Sequence, residues 1–204
     1  MSHGITSTDR FAEVRKTARA WHGLGDELQE GLDFQTAFQN HGLGWATDLA
    51  PIFAKVGDGT IQLPDHRAHV RRDNGTVLGV VSDRYKAFEN MDVARFADGM
   101  LGADSAVSAE TVGSLYGGRR IFALARLPGA FRLGVGDEIR PFLLVSNGHG
   151  GFAGFNTYLT TIRVVCDNTL TLSERDLARG VSFRHVGDLA EKQKQARLIL
   201  GLAD

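Results

Sequence analysis

Apolar and polar positions alternate along three stretches, Trp45 to Val56, His66 to Arg72 and Thr76 to Ser82, and this period of two predicts strands. Asp73-Asn74-Gly75 between the last two is a strong hairpin signal. The rhythm then lengthens. Val93, Phe96, Met100 and Leu101 fall at helical spacing behind Asn90 or Asp92, either of which can start a helix that ends at Gly102. Alternation returns in Thr111 to Tyr116, Arg119 to Leu127, Ile139 to Ser146 and Phe152 to Cys166, with Gly117-Gly118 and the stretch from Asn147 to Gly151 as turns. Within the second of these runs Ile121, Ala123 and Ala125 alternate with Phe122 and Leu124, so both faces are apolar and the strand is expected at the centre of a sheet, covered by helices.

Helices are also expected at Phe11 to Ala20, behind an Asp33 cap through Phe34, Ala37 and Phe38 to Gly42, at Asn168 to Ala178, and from an Asp188–Glu191 capping box through Leu202. Because hairpins rather than helical crossovers join the strands, the predicted class is α+β. It consists of antiparallel β-meander sheets, with helices packed on one face and C-terminal helices. Residues 1–204 read as one α+β domain whose first 44 residues form a helical and loop extension.

Composition narrows the function classes. The chain is 43% hydrophobic and 23% charged with a formal charge of −1, so it can bury a core and has no global field toward nucleic acid or anionic membranes. A single cysteine, Cys166, excludes an intramolecular disulfide and fits a reducing cytoplasm; neither a signal-peptide core near Met1 to Arg10 nor a membrane-length apolar run is seen. A cytoplasmic location is the expectation.

Candidate chemistry is sparse. His66 and His69 are three apart, which on a strand puts them on opposite faces, so a shared metal is not expected. His22, His41 and His149 sit beside glycines in turns and read as surface or capping groups, and Cys166 reads as buried. Gly23 and Gly25 lack a preceding strand and a following lysine, and Asn147 to Gly151 reads as a flexible hairpin loop rather than a ligand loop. No catalytic residue, metal or cofactor is assigned. Arginine stands out more. Of 23 basic residues 18 are arginine, and residues 110–185 carry nine arginines against six acids. A turn at Gly117-Gly118 pairs Tyr116 with Arg119 and Leu115 with Arg120, placing a ring and two guanidinium groups at a protruding tip suited to phosphates and bases. Arg126, Arg140 and Arg163 add to this basic half, and Arg84 and Lys86 beside Tyr85 make a second, similar set diluted by Asp65, Asp73 and Asp83.

Five blocks taken in order resemble the phage and plasmid-like family catalogued as domain of unknown function 932. They are Trp21 to Gly25, Leu78 to Lys86, Gly113 to Leu127, Arg140 to Leu144 and Thr161 to Leu170. The resemblance implies a mobile-element origin and no established activity. Such arginine-bearing, strand-rich phage proteins are similar in class to single-strand annealing proteins that assemble as rings or filaments. The expectation is therefore a non-enzymatic, homo-oligomeric single-stranded DNA-binding protein of recombination, in which repeated copies build a basic groove from Tyr85, Arg84, Lys86, Tyr116, Arg119, Arg120, Arg126, Arg140 and Arg163. A phage factor that binds a host protein, signalled by a large exposed apolar patch, is the first alternative; a metal-dependent hydrolase is the second.

Overall fold

The computed structural model describes residues 4–14, 24–102, 107–129, 131–133, 137–164, 167–175 and 180–202. Trp21, His22, Gly23 and Cys166, and with them the readings of an N-terminal loop and a buried thiol, lie outside the described residues. Among the described residues the class is α+β, built on one large and one small antiparallel sheet with a separate two-stranded ribbon. The large sheet has seven strands. In chain order they are β1 (Phe11–Glu13), β2 (Asp26–Glu27), β6 (Ala109–Leu115), β7 (Arg120–Arg126), β10 (Phe142–Gly148), β11 (Phe155–Thr160) and β12 (Gly180–Phe183), and they lie in the order β12-β11-β10-β7-β6-β1-β2. Only β1 and β2 run parallel. The small sheet is a meander of β3 (Thr47–Val56), β4 (Gly59–Arg71) and β5 (Val77–Ser82), and β8 (Phe131–Leu133) pairs with β9 (Asp137–Ile139).

Strand β7 lies centrally, with its two apolar faces in two separate cores. Ile121, Ala123 and Ala125 join a core with Val93, Phe96 and Ala97 of helix α2 (Asn90–Leu101) and with Phe34, Ala37 and Phe38 of α1 (Phe34–Asn40). Phe122 and Leu124 face the other way, against Tyr158 and Leu170, the latter on α3 (Asp167–Arg175). The last helix, α4 (Leu189–Ile199), packs on α2 through Ala196.

Capping explains where the helices begin. Asp33 accepts from the Thr36 amide, Gly42 follows α1 with φ 67°, and Asp188 accepts from the amides of Ala190 and Glu191. Helix α2 differs from expectation: its cap is Glu89, which makes a reciprocal capping box with Asp92 and also accepts from the Thr47 amide and hydroxyl at 3.0 and 2.8 Å. One carboxylate thus starts α2 and anchors β3. Asp98 on α2 in turn accepts from the Phe34 amide at 2.8 Å, which sets α1 against α2.

Four sequence expectations need correction. Phe11 to Glu13 is a strand, because Phe11, Ala12 and Glu13 pair with Gly113, Val112 and Thr111 of β6, whose ladder overrides local propensity. The small sheet is longer than predicted, since β4 begins at Gly59 and absorbs Pro64-Asp65-His66 in an irregularity opposite Pro51 and Ile52. Strand β11 is short, Phe155–Thr160 rather than Phe152 to Cys166, and β12 was not foreseen. Last, Asn147 to Gly151 is no flexible loop: Asn147 to Gly150 are buried, in the end of β10 and a 3-10 turn, His149–Gly151, which lies against β5.

Candidate functional site

Three polar or apolar assemblies are built on this frame. The first collects most of the arginines singled out above. The β6–β7 tip does pair Leu115 with Arg120, but it does not protrude. The Asp9 carboxylate accepts from the amides of Gly117 and Gly118 at 3.1 and 3.0 Å and from the Ser114 hydroxyl at 3.0 Å. Trp45, two residues before β3, and Arg71 of β4 close over Gly118, where an added Cβ would lie 2.8 Å from the indole. Arg71 itself sits 4.1 Å over that indole and is paired to Asp73 at 2.7 Å. The tip is a seam between the sheets.

Beneath it, on the α3 side of the sheet, Arg120 forms a buried ion pair with Glu174 and lies 3.8 Å from Asp167. The Tyr116 hydroxyl donates to Asp167 at 2.6 Å and the Ser146 hydroxyl to Glu174 at 2.6 Å, so each carboxylate is shared between the guanidinium and a hydroxyl. Burial and that bond to Asp167 both push the Tyr116 phenol up from its ordinary value. Arg126 pairs with Glu110, and Arg163 bridges Glu13 at 3.4 Å and Glu110 at 3.6 Å. Arg119 lies 4.6 Å over the Phe152 ring. Three of the arginines counted in this half, Arg120, Arg126 and Arg163, are therefore ion-paired within the fold, Arg163 in part by Glu13 from outside the window counted. Of the remaining predicted residues, Arg140 and Arg84 are exposed, the Lys86 ammonium donates to the Gly187 carbonyl at 3.2 Å, and Tyr85 is half-buried. The structure does not gather the nine into one face.

The second assembly was not foreseen. His69, His149 and His185 are all buried, together with Asn90 and Asn147, between the two sheets. Ring centroids of His69 and His149 are 5.2 Å apart, Tyr85 stacks on His185 at 4.8 Å, and Trp45 lies 5.3 Å from His149. Burial depresses His69 and His185 to about 4, and it also holds His149 well below its ordinary value. Burial likewise pushes the Tyr85 phenol up. His149 is buried rather than the surface or capping group its turn sequence suggests, because Gly79 packs so closely on Gly150 that an added Cβ would lie 2.2 Å from the Gly150 carbonyl oxygen. A polar pair, Ser146-Asn147, at the end of an otherwise apolar strand was the available sequence signal. His66 is exposed while His69 is buried, as a strand's alternation requires. Among the described residues no three His, Cys, Asp or Glu side chains are placed to hold a metal ion, and no helix is long and apolar enough to cross a membrane.

The third assembly is the outer face of the small sheet. Directly paired residues share a face, which puts Ala50, Ala68 and Val80 in one row and Val70 and Val77 in the next. Toward the β3–β4 turn the same face continues through Ile52 and Leu63, Ala54 and Ile61, and Val56. Val56, Ile61, Val77 and Val80 are 57–59% exposed. At its margins this face turns polar, through the exposed Asp48–Arg72 pair at one end and His66 opposite Ser82 at the other. Phe53, on the opposite face of the same arm, is 57% exposed, so the hairpin overhangs the large sheet.

Residues 77–204 match the model of a protein family described as Domain of unknown function (DUF932). The match leaves out the first resembling block, Trp21 to Gly25. No curated protein and no solved structure matches the chain.

Proposed function

Because the chain belongs to the family described as domain of unknown function DUF932, a description that carries no activity, we propose from its geometry that it is a non-enzymatic protein-binding protein that self-associates through the outer face of its three-stranded sheet. The observation that carries this reading is the aliphatic stripe from Val77 and Val80 across Ala68 and Ala50 to Ile61 and Val56, in which the valine and isoleucine side chains are more than half exposed. Contiguous apolar patches of this kind mark interaction surfaces. A face with so little charge is its own complement, so two copies can stack it in a two-fold, sheet-on-sheet arrangement without matching charges.

A single strand of DNA would need cations free to meet phosphates and rings to stack on bases. Here Arg120, Arg126 and Arg163 are engaged by Glu174, Glu110 and Glu13, and the uncovered face holds β-branched and alanine side chains instead of aromatic rings. A protein surface suits it better.

Sedimentation equilibrium over the micromolar range tests the proposal. The wild-type chain is expected to associate with concentration, and Ile61→Lys with Val80→Lys to run as a monomer with an unchanged melting temperature. A wild-type chain that stays monomeric overturns it. Fluorescence anisotropy with a labelled oligonucleotide separates the competing reading: salt-dependent binding that Arg84→Ala and Lys86→Ala weaken would restore nucleic acid as the partner.

A further inference from the structure

Three imidazoles from three separate segments meet where the small sheet lies on the large one, and their hydrogen bonds leave each a single neutral tautomer. The Asn90 amide nitrogen donates to the Leu43 carbonyl at 2.7 Å, so its oxygen faces His149 Nε2 as an acceptor at 2.7 Å and that nitrogen must carry the proton. Likewise the Asn147 amide nitrogen donates to the Phe88 carbonyl at 3.1 Å, and its oxygen receives the proton of His185 Nε2 at 2.7 Å. His69 is the reverse case. Its Nδ1 accepts from the Gly150 amide at 2.9 Å, so its proton sits on Nε2.

We propose that this junction is a proton-operated clamp, in which acid protonates the imidazoles and lifts the three-stranded sheet from the seven-stranded one before the rest of the fold gives way. A second proton on His69 must go to Nδ1, where it meets the Gly150 N–H donor to donor and breaks the bond that ties β4 to the 3-10 turn. A second proton on His149 must go to Nδ1, a buried atom with no hydrogen-bond partner. The surroundings offer a new cation little relief. Arg71 on β4 acts on His149, Lys192 on α4 acts on His185, and the three rings repel one another once charged. The nearby acids are engaged elsewhere: Asp73 holds Arg71, and Glu89, which acts on Tyr85, holds Thr47. Outside the junction the small sheet is held at the β6–β7 tip, where Arg71 Nη1 donates to the Gly117 carbonyl at a long 3.4 Å, and by Glu89 and Lys86 at its ends. Leu78 of β5 also enters the apolar core on the α2 side of β7, whereas among the described residues the core on the other face of β7 draws no residue from the small sheet.

Long-range nitrogen–proton spectra of the histidine rings in the whole chain read the clamp directly. At pH 7 the expected pattern is three neutral rings protonated on Nε2, none titrating above about pH 5. Rings that titrate near their ordinary value overturn the proposal. In a Trp21→Phe background, Trp45 fluorescence is expected to change on acidification before far-ultraviolet dichroism does; coincident transitions also overturn it. His69→Gln keeps an acceptor for the Gly150 amide and cannot be protonated, so it should move the Trp45 transition down by about one pH unit, the direction that proton linkage dictates. An unmoved midpoint removes His69 from the mechanism, and if this variant does not fold the ring spectra of the wild-type chain still decide.

Discussion

The seven-stranded and three-stranded sheets are made of similar strands yet solve burial differently. Both faces of β7 and β10 are covered, and the charges at their ends are matched by carboxylates inside the fold. The three-stranded sheet covers only one face, uses histidine and asparagine to do so, and leaves the other face aliphatic. Arg120 and Arg126 of the first sheet are thus held by carboxylates, whereas the second sheet presents exposed valine and isoleucine side chains. Counting arginines alone does not show which of them are paired. Charge is informative only with its partners in place, and an ion pair drawn from the two ends of a chain is invisible to a local count.

This contrast can be broken most forcefully at Arg120. Arg120→Met leaves the Glu174 carboxylate uncompensated at 14% side-chain exposure, and removing one partner of a buried pair costs about 3–5 kcal/mol. Urea unfolding of Arg120→Met should show that loss, and the double variant with Glu174→Leu should recover much of it. A loss below about 1 kcal/mol would mean that the pair is solvated and that the guanidinium is available after all.

Acid acts on the other sheet. His69 and His185 have folded values near 4 against an ordinary 6.5, so between those values the unfolded chain binds more protons than the folded one. Stability is then full above pH 6.5 and falls as pH drops toward 4, by on the order of 2 kcal/mol for each ring between pH 7 and pH 5. Thermal melts at those two pH values check the sign. Gly79→Ala should follow in size: its Cβ would lie 2.2 Å from the Gly150 carbonyl oxygen, and forcing the backbones apart costs about 1–3 kcal/mol, read as a lower urea midpoint.

How much of this was legible differs between the sheets in the same way. Strand β7 could be read because apolar residues on both its faces give a signal confined to seven positions. The Asp33 and Asp188 caps were legible for the same reason, since a cap and its amides lie within three residues. The β1 strand was not, because three residues take their structure from β6, about a hundred positions away. Nor was the burial of His149, where glycines that look like a loose turn instead permit backbone contact with Gly79. The aliphatic face was hidden twice over: the strand through Ile61 and Leu63 runs into Pro64-Asp65, which reads as a break, and alternation shows that a strand has two faces without showing which one the fold leaves bare.

The smallest stability effect is expected at that bare face, and it sharpens the comparison most. Val80 is 57% exposed and lies across from Ala68. Val80→Lys should therefore shift stability by no more than about 0.5 kcal/mol, as surface substitutions do. Its effect on association should be far larger, because burying an ammonium between two aliphatic sheets without a counter-charge is strongly unfavourable. A substitution silent in a thermal melt yet decisive in sedimentation would separate a surface kept for a partner from one that is simply part of the core's margin. If Val80→Lys instead unfolds the chain, the face is already covered within the protein, and the contrast between the two sheets fails with it.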